Sequence, residues 1–185
     1  IRVDNTGKEF EEFLRLAKKA GCYEAGIGFE SGDQQSLDSI DKGITLEQSI
    51  KCMEIVKRVG MESAGFFIFG LPTDTEESLK KTMDFALKLN PDLAKVTIAM
   101  PFPGTRLFEQ YEKEGRIKTR DWSKYNLHKI ADVYEHPHLS SEILDKYKPV
   151  GEFDVPYTAS WADVHRDLSA WLENEMQRQA FAELK

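Results

Sequence analysis

Apolar positions along this chain follow two periods. Residues 25–29, 63–69 and 93–100 are short apolar runs, each ending in a charge, a glycine or a proline. Between them, Leu46, Ile50, Met53 and Val56, then Leu79, Met83 and Ala86, recur at helical spacing. Upstream, Phe10, Phe13, Leu14 and Ala17 share one face of a predicted helix, behind Thr6-Gly-Lys-Glu9, which has the form of a capping box. Thr45-Leu-Glu-Gln48 and Asp74-Thr-Glu-Glu77 predict the next two helix starts, and Gly21, Gly60 and Asn90-Pro91 the stops. Residues 31–43 read as a polar loop. Strands alternating with helices through short connections specify parallel βαβ units with right-handed crossovers, over about residues 1–114. The predicted fold class is α/β, a parallel (βα) half or partial TIM-type barrel with a C-terminal amphipathic helix.

After residue 114 the pattern loosens to a short helix near residues 142–147, and Lys148-Pro-Val-Gly151 reads as a boundary. Beyond it, Ser160-Trp-Ala-Asp163 is a helix cap, followed by an apolar stripe of Trp161, Val164, Leu168, Trp171, Leu172 and Met176. Two units are expected: a partial barrel over residues 1–147, and a helical segment over residues 148–185 packing on it. A half-barrel exposes two sheet edges and part of its inner apolar face. Self-association or a missing half-barrel is the expected partner, with Val164, Leu168 and Trp171 expected to cover the exposed surface.

Composition adds limits. The 185 residues suffice for one core, and 25 basic against 32 acidic side chains give a formal charge of −7. Phosphate neutralisation therefore has no global support, and no nucleic-acid partner is expected. No apolar run has the length of a membrane span, the N-terminus does not read as a signal peptide, and a cytoplasmic protein is the default expectation. Cys22 and Cys52 match neither a disulfide framework nor a CxxC site, so free, buried thiols are expected.

In parallel α/β architectures ligands sit at the carboxyl ends of the strands. Glu30 directly follows a strand, where its carboxylate has two readings: acceptor for the vicinal hydroxyls of a ribose, or partner of a nearby lysine. Gly28 and Gly32 would let backbone approach closely, and Gly70-Leu-Pro72 would shape a flat floor suited to an adenine ring. Phe66, Phe67 and Phe69 read as core. Arg106 belongs to the first turn of the next helix, and His136 and His138 flank a loop proline without a metal-ligand pattern.

GFES (28–31), KGIT (42–45), GFFIFGLPTDT (65–75), TIAMPFPGT (97–105) and YEHPHL (134–139), in that order, resemble radical S-adenosylmethionine (SAM) enzymes, particularly the branch often fused to cobalamin-binding domains. The resemblance covers about residues 1–147. It implies that Glu30 with Ser31 lies on the ribose side of SAM, that Lys42 contacts the methionyl carboxylate, and that Ile68 and Gly70 border the adenine. It also implies reductive cleavage of SAM to a 5′-deoxyadenosyl radical at a [4Fe–4S] cluster. The family's CxxxCxxC loop is absent, and Cys22 and Cys52 do not replace it. A radical SAM enzyme-derived domain follows, with weak or vestigial SAM contacts, no catalytic or metal-ligating residue of its own, and no activity alone. A non-catalytic chimeric or engineered scaffold is the alternative.

Residues 148–184, with SWADV and RDLSAWL, resemble the post-barrel region of retaining α-glucan-active enzymes with a seven-stranded α-amylase-type barrel. Glu173 stands where that resemblance implies glycine. The two carboxylates that glycoside hydrolysis requires would come from elsewhere. Trp161 and Trp171 offer faces for a sugar, but their helical spacing fits a packing helix better, and a glucan-active fragment is a third reading.

Overall fold

The computed structural model describes residues 1–4, 6–125 and 132–147. The helix expected in residues 148–185 lies outside the described residues. Chain order is α1 (Lys8–Lys19), β1 (Glu24–Glu30), α2 (Gln34–Ser39), α3 (Leu46–Val59), β2 (Glu62–Phe69), α4 (Glu76–Leu89), β3 (Leu93–Ile98), α5 (Arg106–Lys113), a 3₁₀ turn (Trp122–Lys124) and α6 (Ser141–Tyr147). The three strands form one parallel sheet in the order β1-β2-β3. This is the α/β partial barrel that the alternation specified.

Each side of the sheet follows from strand alternation and register. Ala25, Ile27 and Phe29, with Phe67, Phe69, Val96 and Ile98, are buried on the helix side, where they join Met53, Val56, Leu79 and Met83 in one core. The Phe29 and Phe67 rings stack there at 5.6 Å. On the other side, Gly28 lies beside Phe66, Phe66 beside Lys95, and Ile68 beside Thr97. That side is open: Phe66 is 39% and Leu93 40% exposed. Phe66 and Phe69 thus part company, since only Phe67 and Phe69 are core.

Local chemistry sets the boundaries. Thr45 accepts a hydrogen bond from the Gln48 backbone N–H while Gln48 reaches back to Thr45, completing the predicted box, and Gly60 ends α3 in the left-handed region at φ 73°. Asn90 closes α4 at φ 48°. Elsewhere the structure corrects the prediction. Helix α1 has Gly7 as its N-cap with no side-chain cap, so Thr6 and Glu9 form no box. Its line of contact with α3 is held by Glu11 on Arg58 and by Lys18 on the Val59 and Gly60 carbonyls; this buries Phe10 and Leu14 but leaves Phe13 58% exposed. Helix α2 interrupts the predicted loop because Asp33 accepts from the Ser36 N–H and caps a turn. Thr75, with Ser78, caps α4, and Asp74 is drawn inside instead. Cys22 is exposed rather than buried, in the turn after α1, whereas Cys52 is buried as expected.

The strand-end cleft as candidate functional site

Parallel pairing brings the carboxyl ends of β1, β2 and β3 to one edge of the sheet. At the end of β1 the register shifts between Gly28 and Glu30, and Glu30 takes φ 64°. For a residue with a Cβ this left-handed conformation costs about 1 kcal/mol, and the surrounding contacts hold it. The Glu30 carboxylate folds back over Gly28: a Cβ at position 28 would lie 2.5 Å from Glu30 Oε1. Lys42, from the turn after α2, donates through Nζ to the same oxygen at 2.5 Å, and both side chains are mostly shielded from solvent. The two residues expected on SAM therefore meet each other, as the lysine reading of Glu30 anticipated.

Ser31 is placed differently. It is fully buried, its hydroxyl lies 3.0 Å from Thr82 Oγ1, and it accepts from the Asp33 N–H. Gly32 serves close packing against α4, since a Cβ there would lie 2.5 Å from Phe85 Cβ and 2.6 Å from the Lys81 carbonyl. Ile68 is half-buried on the open side next to the end of β2. Gly70 follows at φ 77°, where an added Cβ would lie 3.3 Å from Leu144 Cδ2 of α6. Arg106 is in the first turn of α5, as expected, and pairs with Asp41 beside Lys42, tying the end of β3 to the β1 loop.

Beneath this cleft lies a buried polar network that sequence reasoning missed. Asp74 Oδ1 accepts from Ser36 Oγ at 2.6 Å and Ser78 Oγ at 2.8 Å, and Oδ2 accepts from the Leu71 N–H at 2.8 Å. Burial pushes its carboxyl pKa up, against the lowering effect of those bonds. His136 Nδ1 accepts from the backbone N–H groups of His138 and Leu139, so Nε2 carries the proton and donates to the Leu71 carbonyl at 2.9 Å. Burial holds this ring below the ordinary histidine pKa. The signal available in the sequence was the pair of serines, each within helix reach of Asp33 or Asp74; nothing in it showed that they converge. Thr73, in the same loop, has a buried hydroxyl without a partner among the described residues.

A [4Fe–4S] cluster takes thiolates. Cys22 donates its thiol to the Glu24 carbonyl in an exposed turn, while Cys52 faces the core with its thiol pKa pushed up to about 11 by burial. The described residues hold no group of three His, Cys, Asp or Glu side chains able to bind a metal. These residues do not fit the cluster. At the strand ends the structure places a paired carboxylate and ammonium, Glu30 and Lys42, beside the end of β1 and a half-buried Ile68 near the end of β2.

Residues 1–86 match the model of the Radical SAM superfamily. An uncharacterized methyltransferase of Pyrococcus horikoshii is 38% identical over 136 residues, covering 74% of this chain and 29% of its own length. Among solved structures, coproporphyrinogen III oxidase from Escherichia coli, described as a radical SAM enzyme, superposes with TM-score 0.56 at 17% identity, over 80% of this chain and 30% of that one. The radical SAM methyltransferase TsrM from Kitasatospora setae, solved with cobalamin and a [4Fe–4S] cluster, gives 0.54 at 20% identity, over 65% and 24%. These two establish likeness of fold. A putative alpha-amylase of Methanocaldococcus jannaschii is 47% identical over 60 residues, 29% of this chain and 13% of its own. The chain spans less than a third of the length of the first curated relatives it matches. No helix among the described residues is long and apolar enough to cross a membrane. Residues 1–86 of this chain are a domain of the Radical SAM superfamily.

Proposed function

We propose that this domain supplies the ribose- and adenine-facing wall of a SAM site and is not a catalyst by itself. The observation that carries the reading is the Glu30–Lys42 pair folded over Gly28 at the end of β1. A carboxylate at that place accepts both hydroxyls of a ribose, and the ammonium released from it neutralises the carboxylate of a methionyl group. Ile68 and the turn at Gly70 give an apolar border for a planar base. When bound with its cluster in relatives of this family, SAM supplies the radical; the two cysteines here do not hold that cluster, so reductive cleavage would depend on thiolates outside this set. Calorimetric titration with SAM should give weak binding that Glu30→Gln abolishes. Anaerobic addition of iron and sulfide should leave no visible absorbance band. A stable cluster band, or SAM binding indifferent to Glu30→Gln, overturns the reading.

A second reading rests on the amylase match and on the sequence of residues 148–184: this stretch derives from an α-glucan enzyme and keeps a sugar-stacking tryptophan. Titration with maltooligosaccharides tests it, with Trp161→Ala and Trp171→Ala expected to remove any heat of binding.

A further inference from the structure

Helix α1 carries two apolar faces. Phe10 and Leu14 are buried, on the side where Glu11 meets Arg58 and Lys18 meets the end of α3. Roughly a third of a turn round the helix, Phe13 and Leu16 stand 58% and 61% exposed, at a spacing that makes them neighbours on the surface. The apolar surface continues past them: Ile1, itself exposed, borders with Phe10 and Phe13 one shallow hollow beside the start of α1. Scattered apolar side chains on a surface are ordinary, whereas a contiguous group of them marks an interaction site. We infer that this surface binds a second copy of the same chain, the two α1 helices packing antiparallel about a twofold axis with Phe13 of each copy on Leu16 of the other.

The charges around the face select that occupant and that direction. Glu9 and Glu12 lie at its N-terminal end and Lys19 at its C-terminal end, all three exposed. Among the described residues the ion pairs of α1 are made by Glu11, with Arg15 and Arg58, which leaves Glu9, Glu12 and Lys19 unpaired. Glu12 and Lys19 are two full turns apart and share one flank of the helix. Seating Phe13 on Leu16 of the other copy brings Glu12 to within about 3 Å along the axis of the other copy's Lys19, and the twofold axis repeats the pair. Parallel packing would instead set glutamate on glutamate and lysine on lysine. Burial of Phe13 and Leu16 supplies the affinity, and the exposed ion pairs set the direction. Helix α1 has 12 residues, so the contact is small, below about 1,200 Å², and a dissociation constant of about tens of micromolar is expected. None of these residues belongs to the strand ends, so the inference stands apart from the proposed SAM contact.

Sedimentation equilibrium of the full chain from about 5 to about 500 µM tests it, at about 150 mM salt to screen the repulsion between two chains of charge −7. A reversible monomer–dimer equilibrium is expected. Phe13→Asp with Leu16→Asp should leave a monomer whose circular dichroism is unchanged, because both side chains are exposed. Glu12→Lys and Lys19→Glu should each weaken the dimer about tenfold, since each sets like charges together twice. Mixing those two variants should restore it, because opposite charges then face each other at both places, and the restored dimer also shows that both variants are folded. A monomer at every concentration overturns the inference, as does a dimer indifferent to Phe13→Asp with Leu16→Asp. Single charge variants that dimerise like the native chain refute the antiparallel arrangement.

Discussion

Glu30 combines three features at one position: positive φ, a mostly shielded carboxylate and a short bond to Lys42. Strain of this kind persists only where neighbouring contacts over-determine it, and it collects at functional sites. Gly28 is the residue that makes the arrangement fit. Gly28→Ala should expel the Glu30 carboxylate, separate it from Lys42 and cost about 1–2 kcal/mol, read by denaturant unfolding, with the altered Glu30 position visible in a crystal structure. Gly32→Ala should be worse, because the added atom meets helix backbone rather than a movable side chain; a loss of about 3 kcal/mol or more is expected. Tyr111 gives the opposite sign. Its hydroxyl is buried without a hydrogen-bond partner among the described residues, so Tyr111→Phe removes an uncompensated polar group and should stabilise the fold by about 1 kcal/mol. Melting curves distinguish the two signs directly.

Among the elements, the β2–α4 loop, α2 and the stretch at residues 134–139 are joined by Asp74 and His136. The folded state disfavours protonated His136, so its pKa there is depressed below the ordinary value of 6.5. Stability from this group is therefore present above about pH 6.5 and lost as pH falls through the folded value. Asp74 works the other way: its raised pKa means a contribution present at low pH and lost as pH rises through the folded value. Comparing unfolding free energies of the native chain and His136→Ala between pH 7.5 and 5.5 should show the gap narrowing on acidification. A gap that is independent of pH would mean that the ring is not held neutral. Periodicity in the sequence made most elements legible, because burial of one face is what it reports: α3, α4, the three strands and the stops at Gly60 and Asn90 all sit where it put them. The misses share a cause. Thr6 did not cap, Asp74 did not stay outside and α2 was not foreseen because short polar side chains choose partners across the fold, and a one-dimensional pattern carries no such information.

At the scale of the molecule, the described helices α3 and α4 pack on one side of a three-stranded parallel sheet whose carboxyl ends share one edge. The chain keeps the carboxyl ends of the strands, where Glu30, Ile68 and Gly70 were legible as strand-end residues, whereas Lys42 as Glu30's partner and the burial of Ser31 emerged only with the fold. It lacks converging thiols. Native thiol labelling should modify Cys22 quickly and Cys52 only on unfolding, given one exposed and one buried sulfur with the latter's pKa near 11. Equal labelling rates would mean that α3 is not packed as described. The central claim, that the strand ends form a nucleoside-binding wall, is tested most directly by amide chemical-shift mapping during titration with SAM. Saturable shifts at Gly28 to Ser31, Lys42 and Ile68 to Gly70, lost in Glu30→Gln, are predicted; shifts confined to other surfaces, or none at these amides, would contradict it.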